Sequence, residues 1–420
     1  MLLLERGRDW RGSRLYGTYP GALLYADRAA LLFTRQGMNI VRPLMVGGAT
    51  SMYCGCAAHP REWWRERYGI DLEEPAAEAA RELGVAPLPP EFRGEASTRI
   101  AEAAAREGME WEPQLKFLRP ERADPFDCGA HCMLGCRCSA KWNAGEYVDQ
   151  AVEAGAELWT RARVDRILVE GGAVRGVAGR RGGTPFQVEA ETVVLAAGGI
   201  GSPVLLQGCG IEAAGRGMAM DTTVMVYGTA SGKGIGSDPP MTWSHADDEL
   251  GVLYSTLIDP WLMYPIIMAQ KGLRWSLTWP RWGRTLGVMI KLTDEISGEV
   301  LAEDQISKGL TADDRERLDR AREVAGRILR RAGCDEDTIV STPLRGTHPS
   351  ATARIGEVVD TDLATEVEGL YVCDASVFPE ALGRPTVLTI IALARRLSRH
   401  LLASGNGSRA EPGNPPGAPA

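Results

Sequence analysis

The sequence lacks an unbroken apolar segment long enough to cross a membrane. A spanning helix needs about 20 consecutive apolar residues, and the most apolar stretch, residues 251–268, is interrupted by Asp259, Pro260 and Pro265. The N-terminus also lacks the pattern of a signal peptide, because charged residues follow from Glu5 onward. These absences predict a cytoplasmic protein without a transmembrane segment, with a removed upstream signal still open.

Excess positive charge is also missing. The chain has 47 Lys and Arg against 55 Asp and Glu, a net charge of -8, and its sequence pI is about 5.4. The basic residues are scattered and form no block. This balance argues against nucleic acid or an anionic lipid surface as the main partner.

The nine cysteines occur without a secretion signal, which favours thiols or metal ligands over disulfides. Four of them fall within eleven residues: Cys128, Cys132, Cys136 and Cys138. Their C-x3-C-x3-C-x-C spacing is neither the ferredoxin run nor a paired C-x2-C zinc pattern. An iron–sulfur or other metal site and a cluster of buried or redox-active thiols therefore both remain open.

The chain divides into segments of different texture. Strand, glycine and helix signals alternate in three of them, a fourth is rich in helix-forming residues, and a fifth is rich in tryptophan. The fifth segment also contains a strand candidate at 285–292 and a helix candidate at 312–332. The tail is rich in Gly, Pro and Ser, which predicts disorder. The three alternating segments are 1–58, 112–230 and 344–402. The helix-rich segment is 59–111, the tryptophan-rich segment is 231–343, and the tail is 403–420.

The first residues, MLLLERG, predict a short buried strand that is closed by Glu5. In dinucleotide-binding units, an acidic residue at this place accepts a hydrogen bond from the ribose, about 20 residues after a glycine-rich loop. No such loop precedes Glu5. A surface glutamate after an N-terminal strand is the alternative interpretation.

Two glycine pairs offer bare backbone to a ligand. Gly47 and Gly48 lie in VGGATS, where Ser51 adds a hydroxyl group. Gly198 and Gly199 follow an apolar strand and precede a predicted helix that has a proline in its first turn. A helix N-terminus at the carboxyl end of a strand is where open α/β sheets bind cofactors.

A further pair of motifs contains the candidate base. His348 lies in GTHPSATARIG, and its neutral imidazole can accept a proton near pH 7. Nearby in sequence, a strand predicted from Leu370 ends at Asp374, and a helix starts near Pro385 and Thr386. A packed or capping histidine in a loop is the alternative interpretation of His348.

Taken in order, LLLERG, VGGATS, VVLAAGGIGSPVLL, HPSATARIG and VCDASVFP resemble the motifs of the glucose-methanol-choline (GMC) oxidoreductase family. The resemblance implies an α/β fold with a Rossmann-like FAD-binding domain that lacks its first βα unit, and an α+β substrate domain built on a sheet. The FAD-binding domain then comprises residues 1–58, 112–230 and 344–402. Residues 59–111 are a helical insertion, and residues 231–343 form the substrate domain.

The resemblance also implies a reaction. A hydride passes from a small alcohol or polyol to flavin N5, with His348 as proton acceptor, in a dehydrogenase whose electron acceptor the sequence does not name. Some flavin dehydrogenases of this kind carry cysteines with an iron–sulfur cluster at the position of the cysteine cluster. The implied FAD-binding residues are Glu5, Gly47, Gly48, Ser51, Val164, Ala197, Gly198, Gly199, Asp374, Ala375, Pro385 and Thr386.

The sequence departs from the family in two places. The first glycine loop is missing, so we expect the chain to be truncated at its N-terminus. Residues 383–386 read GRPT where the family has a second His or Asn. We therefore expect His348 to act alone or with Arg384. The guanidinium group of Arg384 could stabilise an alkoxide or bind an acidic group of the substrate. These departures leave two alternatives: a flavin enzyme acting on a C=C bond or ketosteroid, and a truncated subunit without catalysis.

Overall fold

The computed structural model describes residues 1–407, so the predicted tail from residue 408 onward lies outside the described residues. The last helix continues through residue 407, past the predicted start of the tail at 403. Ten α-helices lie in the described part of the chain: α1 (Tyr19–Tyr25), α2 (Trp63–Tyr68), α3 (Glu73–Glu82), α4 (Glu95–Ala105), α5 (Gly145–Glu153), α6 (Gly198–Gln207), α7 (Met263–Ala269), α8 (Leu273–Ser276), α9 (Ala312–Arg331) and α10 (Val387–Gly407).

The strands are mostly short, and the longest of them form the antiparallel sheets. In chain order they are β1 (Leu2–Leu4), β2 (Leu32–Phe33), β3 (Asn39–Ile40), β4 (Ala86–Pro87), β5 (Glu112–Pro113), β6 (Leu115–Lys116), β7 (Glu157–Trp159), β8 (Ala162–Glu170), β9 (Ala173–Arg181), β10 (Thr184–Glu189), β11 (Val193–Leu195), β12 (Arg216–Met218), β13 (Thr223–Thr229), β14 (Trp243–Asp247), β15 (Val252–Thr256), β16 (Thr285–Leu292), β17 (Ser297–Ala302), β18 (Gln305–Ser307), β19 (Val340–Ser341), β20 (Arg345–Gly346) and β21 (Leu370–Val372).

The largest sheet has nine strands in the order β2-β3-β20-β13-β16-β15-β14-β5, with β19 beside β13. Its central strand, β16, is buried along all of its length and pairs antiparallel with β13 and β15. Helix α9 packs on it and begins with a capping box, in which Thr311 and Asp314 bond each other's backbone N–H. The predicted strand at 285–292 is confirmed, and the predicted helix at 312–332 ends one residue earlier.

The segments that are predicted to bind FAD form smaller units. Strands β1 and β7 form one parallel pair, and β11 and β21 form another. Strands β8, β9 and β10 form the antiparallel meander. Parallel pairs bring the carboxyl ends of their strands together, so Asp374, after β21, lies beside the glycines that follow β11. The predicted α/β architecture with a sheet-based second domain is confirmed.

Contacts in the structure cross the predicted domain boundaries, which stay a prediction. Strand β13 is central in the large sheet, although it precedes residue 231. Within residues 59–111, α3 packs against α10, whereas α4 packs against α9 and the large sheet. These helices are therefore shared between the two halves of the molecule. No helix in residues 1–407 combines the length and apolarity needed to span a membrane.

Close packing of backbone joins α6 to the loop that contains His348. A Cβ placed on Gly199 would lie 2.1 Å from the carbonyl oxygen of Pro349 and 2.9 Å from the nitrogen of Ser350. Both contacts are to backbone, which cannot rotate away as the end of a side chain can. Glycine is therefore required at position 199 for lack of space.

We predict that Gly199→Ala lowers the free energy of unfolding by about 2 kcal/mol or more, because the added methyl group forces the two segments apart. Urea unfolding followed by circular dichroism measures this change. Gly283→Ala is the matched control, since a Cβ there meets no atom within 4 Å. Equal stability of the two variants would contradict the prediction.

Candidate active site

The side chains of His348 and Asp221 form a hydrogen-bonded pair. His348 Nδ1 lies 2.8 Å from Asp221 Oδ2, with the carboxyl group 1% exposed and the imidazole 21% exposed. The backbone N–H groups of Thr347 and His348 both donate to the carbonyl of Met220, at 3.0 and 2.8 Å. The loop after β20 is therefore tied to the turn that precedes β13, which places His348 beside Asp221.

Asp221 has an unusual backbone, with φ +45°, in the left-handed region that favours glycine. Asp294 holds this turn. Its Oδ1 accepts hydrogen bonds from the N–H groups of Met220 and Asp221, at 3.1 and 2.9 Å, and its Oδ2 accepts one from Thr222 Oγ1 at 3.0 Å. The strained turn is thus stabilised by three hydrogen bonds to one carboxylate.

Asp294 is itself held by a buried lysine. Lys308 Nζ lies 3.2 Å from Asp294 Oδ2, and both side chains are 0% exposed. Burial raises the pKa of Asp294, and the neighbouring ammonium group acts in the opposite direction. Lys308 keeps this carboxylate charged in an environment that would otherwise favour its neutral form.

Lys291 is the third side chain of the site. It projects from β16, and its Nζ lies 3.4 Å from His348 Nε2 and 3.5 Å from Nδ1. Burial, and then the charge of Lys291, lower the pKa of His348, while the bond to Asp221 opposes them. Burial also lowers the pKa of Lys291. Near pH 7 the imidazole is therefore neutral, as a proton acceptor must be.

The segment before α10 closes the site from another direction. The N–H of Gly383 donates to Asp221 Oδ1 at 2.9 Å, and a Cβ on Gly383 would lie 1.9 Å from Thr293 Oγ1. The next residue, Arg384, forms an ion pair with Asp248 at 2.8 Å. Lys291, and not Arg384, is therefore the cation in contact with His348.

Sequence reasoning missed Asp221 and Lys291. Lys291 had one readable signal: it is the sole charged residue in TLGVMIKL, the strand predicted at 285–292. A lone buried charge needs a partner or a function. Asp221 gave no comparable signal, because its role follows from a turn that only the folded chain brings to His348.

The predicted cofactor residues fall into two groups of mutual contacts. In the first, Gly198 N donates to Asp374 Oδ2 at 2.8 Å, and Ser202 Oγ donates to the same oxygen at 2.5 Å. Asp374 thus binds the start of α6. This group comprises Ala197, Gly198, Gly199, Asp374 and Ala375, and it reaches His348 through the contact of Gly199 with Pro349. Pro385 and Thr386 follow Gly383 in the chain, and Gly383 bonds Asp221, the partner of His348.

The second group surrounds β1. Glu5 Oε1 accepts the N–H of Gly7 at 2.6 Å, and the N–H of Val46 donates to the Arg8 carbonyl at 3.2 Å. The glycines at 47 and 48 therefore follow directly after a segment that pairs with Arg8, four residues beyond the end of β1. Val164 is in β8, where the Ala162 N–H donates to the Glu5 carbonyl at 2.9 Å. Ser51 is 0% exposed, and its hydroxyl turns to the Val46 carbonyl at 3.4 Å.

The glycines of the two groups suit the dinucleotide that the sequence resemblance implies. Gly48 and Gly198 have φ values of +51° and +76°, and a Cβ at either position would meet no atom within 4 Å. Bare backbone therefore faces open space at both places. The N-terminus of α6 at Gly198 already binds the Asp374 carboxylate, so what the two glycines offer the implied cofactor is room for close approach.

The cysteine cluster lies against the loop that contains Ser51. Cys136 Sγ and Cys138 Sγ are 3.7 Å apart, and the N–H of Lys141 donates to Cys136 Sγ at 3.3 Å. Lys141 Nζ donates to the carbonyls of Ser51 and Cys132, at 3.3 and 2.8 Å. All nine cysteines are free thiols. Within residues 1–407, no group of three or more His, Cys, Asp or Glu is placed to hold a metal ion, so the iron–sulfur prediction gains no support.

Comparisons with known proteins show the family and the fold. Two sequence models described as GMC oxidoreductase match residues 23–236 and 305–394. An uncharacterised GMC-type oxidoreductase of Mycobacterium tuberculosis is 28% identical, covering 97% of this chain and 73% of that protein. A long-chain-alcohol oxidase of Arabidopsis thaliana is 24% identical, covering 96% and 64%. The crystal structure of pyridoxine 4-oxidase from Mesorbium loti superposes with a TM-score of 0.71 at 17% identity, covering 96% and 94%, and shows a shared fold.

We predict that Lys308→Met destabilises the protein by about 3–5 kcal/mol, because it leaves Asp294 buried without a cation. Chemical denaturation measures the change. Exposed Lys233→Met is the control, with an expected change within about 0.5 kcal/mol. The double variant Asp294→Asn with Lys308→Met should recover part of the loss, since no unpaired charge remains. If Lys308→Met were as stable as Lys233→Met, the pair of Asp294 and Lys308 would not be what stabilises the turn at residues 220–222.

Proposed function

This chain belongs to the GMC oxidoreductase family, and we propose that it oxidises the CH–OH group of an alcohol or polyol, with His348 as the acceptor of the hydroxyl proton. The observation that carries the proposal is the contact of a neutral imidazole with a buried carboxylate on one side and a lysine on the other. This arrangement combines a proton acceptor, a group that orients it and a cation.

Asp221 determines which nitrogen of His348 acts as the base. An ionised carboxylate only accepts hydrogen bonds, so the Nδ1 that lies 2.8 Å from Asp221 carries the imidazole proton. The lone pair is then on Nε2, the nitrogen that accepts the substrate proton beside Lys291. Because Gly383 binds the other carboxylate oxygen, Asp221 cannot turn away from the ring. Asp221 is therefore a positioning residue.

Lys291 supports the same step by its charge. Its ammonium group is 3.4 Å from Nε2, so it is within reach of an oxygen that is bound at that nitrogen. A nearby cation stabilises the negative charge that develops on the substrate oxygen as the proton leaves. Raised electron density on that oxygen promotes departure of the hydride from the carbinol carbon.

Family membership implies FAD as the cofactor. The bare backbone at Gly48 and Gly198 would lie against the cofactor, and Glu5 would bind its ribose. When bound, FAD supplies the two-electron acceptor of the reaction. The chain's own side chains bind and orient the alcohol and remove its proton.

The names of the relatives and the site together support a CH–OH donor. The names of a long-chain-alcohol oxidase and of pyridoxine 4-oxidase describe oxidases, one of them acting on an alcohol. The sequence resemblance predicts an alcohol or polyol dehydrogenase. Oxidation of a CH–OH group is common to oxidases and dehydrogenases of this kind, and this is the reaction that we propose.

We predict that His348→Ala slows reduction of the flavin by alcohol by about 10² or more, because the hydroxyl proton has no acceptor. Anaerobic stopped-flow absorbance of the protein reconstituted with FAD, with a panel of primary alcohols and polyols, measures the rate. His59→Ala is the matched control, since His59 is exposed and should leave the rate unchanged.

Two results would refute the proposed function. Full-rate reduction by the His348→Ala variant would remove this histidine from the reaction. Failure of the folded parent protein to bind FAD, or to be reduced by any alcohol in the panel, would instead favour a role without CH–OH oxidation.

A second variant tests Lys291 through the pH profile. Lys291 lowers the pKa of His348, so in Lys291→Met that pKa rises. The base works only when neutral, and the fall of the reduction rate at acid pH should therefore begin at a higher pH than in the parent. We also expect the pH-independent rate to fall by about 10². An unshifted acid limb with a lowered rate would assign Lys291 a structural role alone.

A further inference from the structure

The segment between Asp259 and Asp294 has a charge opposite to that of the whole chain. Residues 260–293 contain no Asp or Glu, whereas the net charge of the protein is -8. The five cations of the segment are Lys271, Arg274, Arg281, Arg284 and Lys291. Lys291 is buried beside His348, and the other four are exposed. The outer surface of this segment is therefore strictly basic.

The same segment exposes large apolar side chains. Their exposed fractions are 46% for Trp261, 37% for Leu262, 62% for Ile266, 72% for Leu273 and 69% for Leu277. Single apolar residues on a surface are ordinary, but five within seventeen residues mark an interaction site.

These residues belong to one compact surface. Ser276 Oγ, at the end of α8, donates to the Pro265 carbonyl of α7 at 2.9 Å. The hydroxyl groups of Tyr264 and Thr278 are 3.0 Å apart. The rings of Trp261 and Trp279 have centroids 4.6 Å apart. We call residues 261–284 the basic–apolar surface.

The inner side of the basic–apolar surface is firmly attached to the protein. Tyr264 and Met268 are buried in the core of the large sheet. Trp282 Nε1 donates to the Asp259 carbonyl at 2.9 Å, and Arg345 binds both carboxylate oxygens of Asp259 at 2.6 and 2.7 Å. Helix α7 is thus apolar on its inner and outer sides, and its outer residues have no room to turn inward.

Helix α1 extends the apolar area. The N–H of Leu262 donates to Tyr19 Oη at 3.2 Å. Leu23 lies one helical turn after Tyr19, on the same side of α1. The exposed fraction of Leu23 is 49%, so one further leucine lies next to the basic–apolar surface.

We propose that the basic–apolar surface docks the protein on an anionic lipid bilayer. Its leucine, isoleucine and tryptophan side chains enter the boundary between headgroups and acyl chains, and its four exposed cations contact lipid phosphates. Neither signal suffices alone, since stable surface binding requires apolar insertion and electrostatic attraction together. The chain-wide charge argues against such a surface, but binding depends on the local charge.

A second copy of the chain fits this surface less well. In a two-fold dimer the same patch meets itself, so four unpaired cations would face four others. None of these four takes part in the ion pairs of the described part of the chain; one of them, Arg274, instead stacks on Trp275 at 4.6 Å. An anionic partner supplies the missing negative charge, whereas a second copy does not.

Co-flotation with vesicles tests the proposal without reference to catalysis. The full-length protein is mixed with vesicles of phosphatidylcholine alone, or of equal parts phosphatidylcholine and phosphatidylglycerol, and centrifuged through a density gradient. We expect flotation with the anionic vesicles, little with the neutral ones, and loss of binding as salt is raised.

Variants assign the binding to the surface. Ile266→Asp combined with Leu273→Asp should weaken binding about 10-fold or more, and Arg274→Glu combined with Arg281→Glu should weaken it similarly. Leu402→Asp is the matched control, because Leu402 is 68% exposed on α10, away from this surface. Circular dichroism melting of each variant separates lost binding from lost folding.

Three outcomes would overturn the proposal. One is absence of the folded parent protein from the floating fraction with both vesicle types. Another is equal flotation of the parent and both double variants. The third is light scattering that shows a dimer which the Ile266→Asp, Leu273→Asp variant breaks, since this would assign the surface to contact between copies.

Discussion

The buried ion pair between Asp294 and Lys308 is the constraint on which the site depends. Two charges removed from water are costly to bury, and their attraction offsets the cost only when the remaining hydrogen bonds are made. Asp294 makes them with the turn at residues 220–222, which has a backbone conformation that an aspartate rarely adopts. The position of Asp221, and through it that of His348, follows from this pair.

Around that pair, the active site is assembled from segments that are far apart in sequence. The turn before β13, strand β16, the loop after β20 and the segment before α10 each contribute one group. Two glycines allow their close approach: Gly199 against the Pro349 carbonyl and Gly383 against Thr293. Asp221 is fixed in this scaffold by contacts on both of its carboxylate oxygens.

The elements and the candidate base could be predicted because their signals are local. Apolar residues, a glycine pair after a strand and a helix-forming segment predicted β16, α6 and α9, and the order of five motifs identified the family. The partners of His348 could not be predicted in the same way. Arg384 was the nearest cation by motif position, but in the fold its guanidinium pairs with Asp248, and Lys291 from the middle of a sheet takes the place beside the imidazole.

The sequence by itself determined the family, the α/β architecture, the main strands and helices, and His348 as the candidate proton acceptor. Each of these depends on motifs whose residues are close together in the chain. The tertiary structure alone decided the pairing of His348 with Asp221 and Lys291, the division of residues 59–111 between the two halves, and the exposure of the apolar residues between Trp261 and Leu277. These depend on contacts between distant segments. A hydrophobic run reads the same in sequence whether its side chains are covered or face solvent, and only packing distinguishes the two.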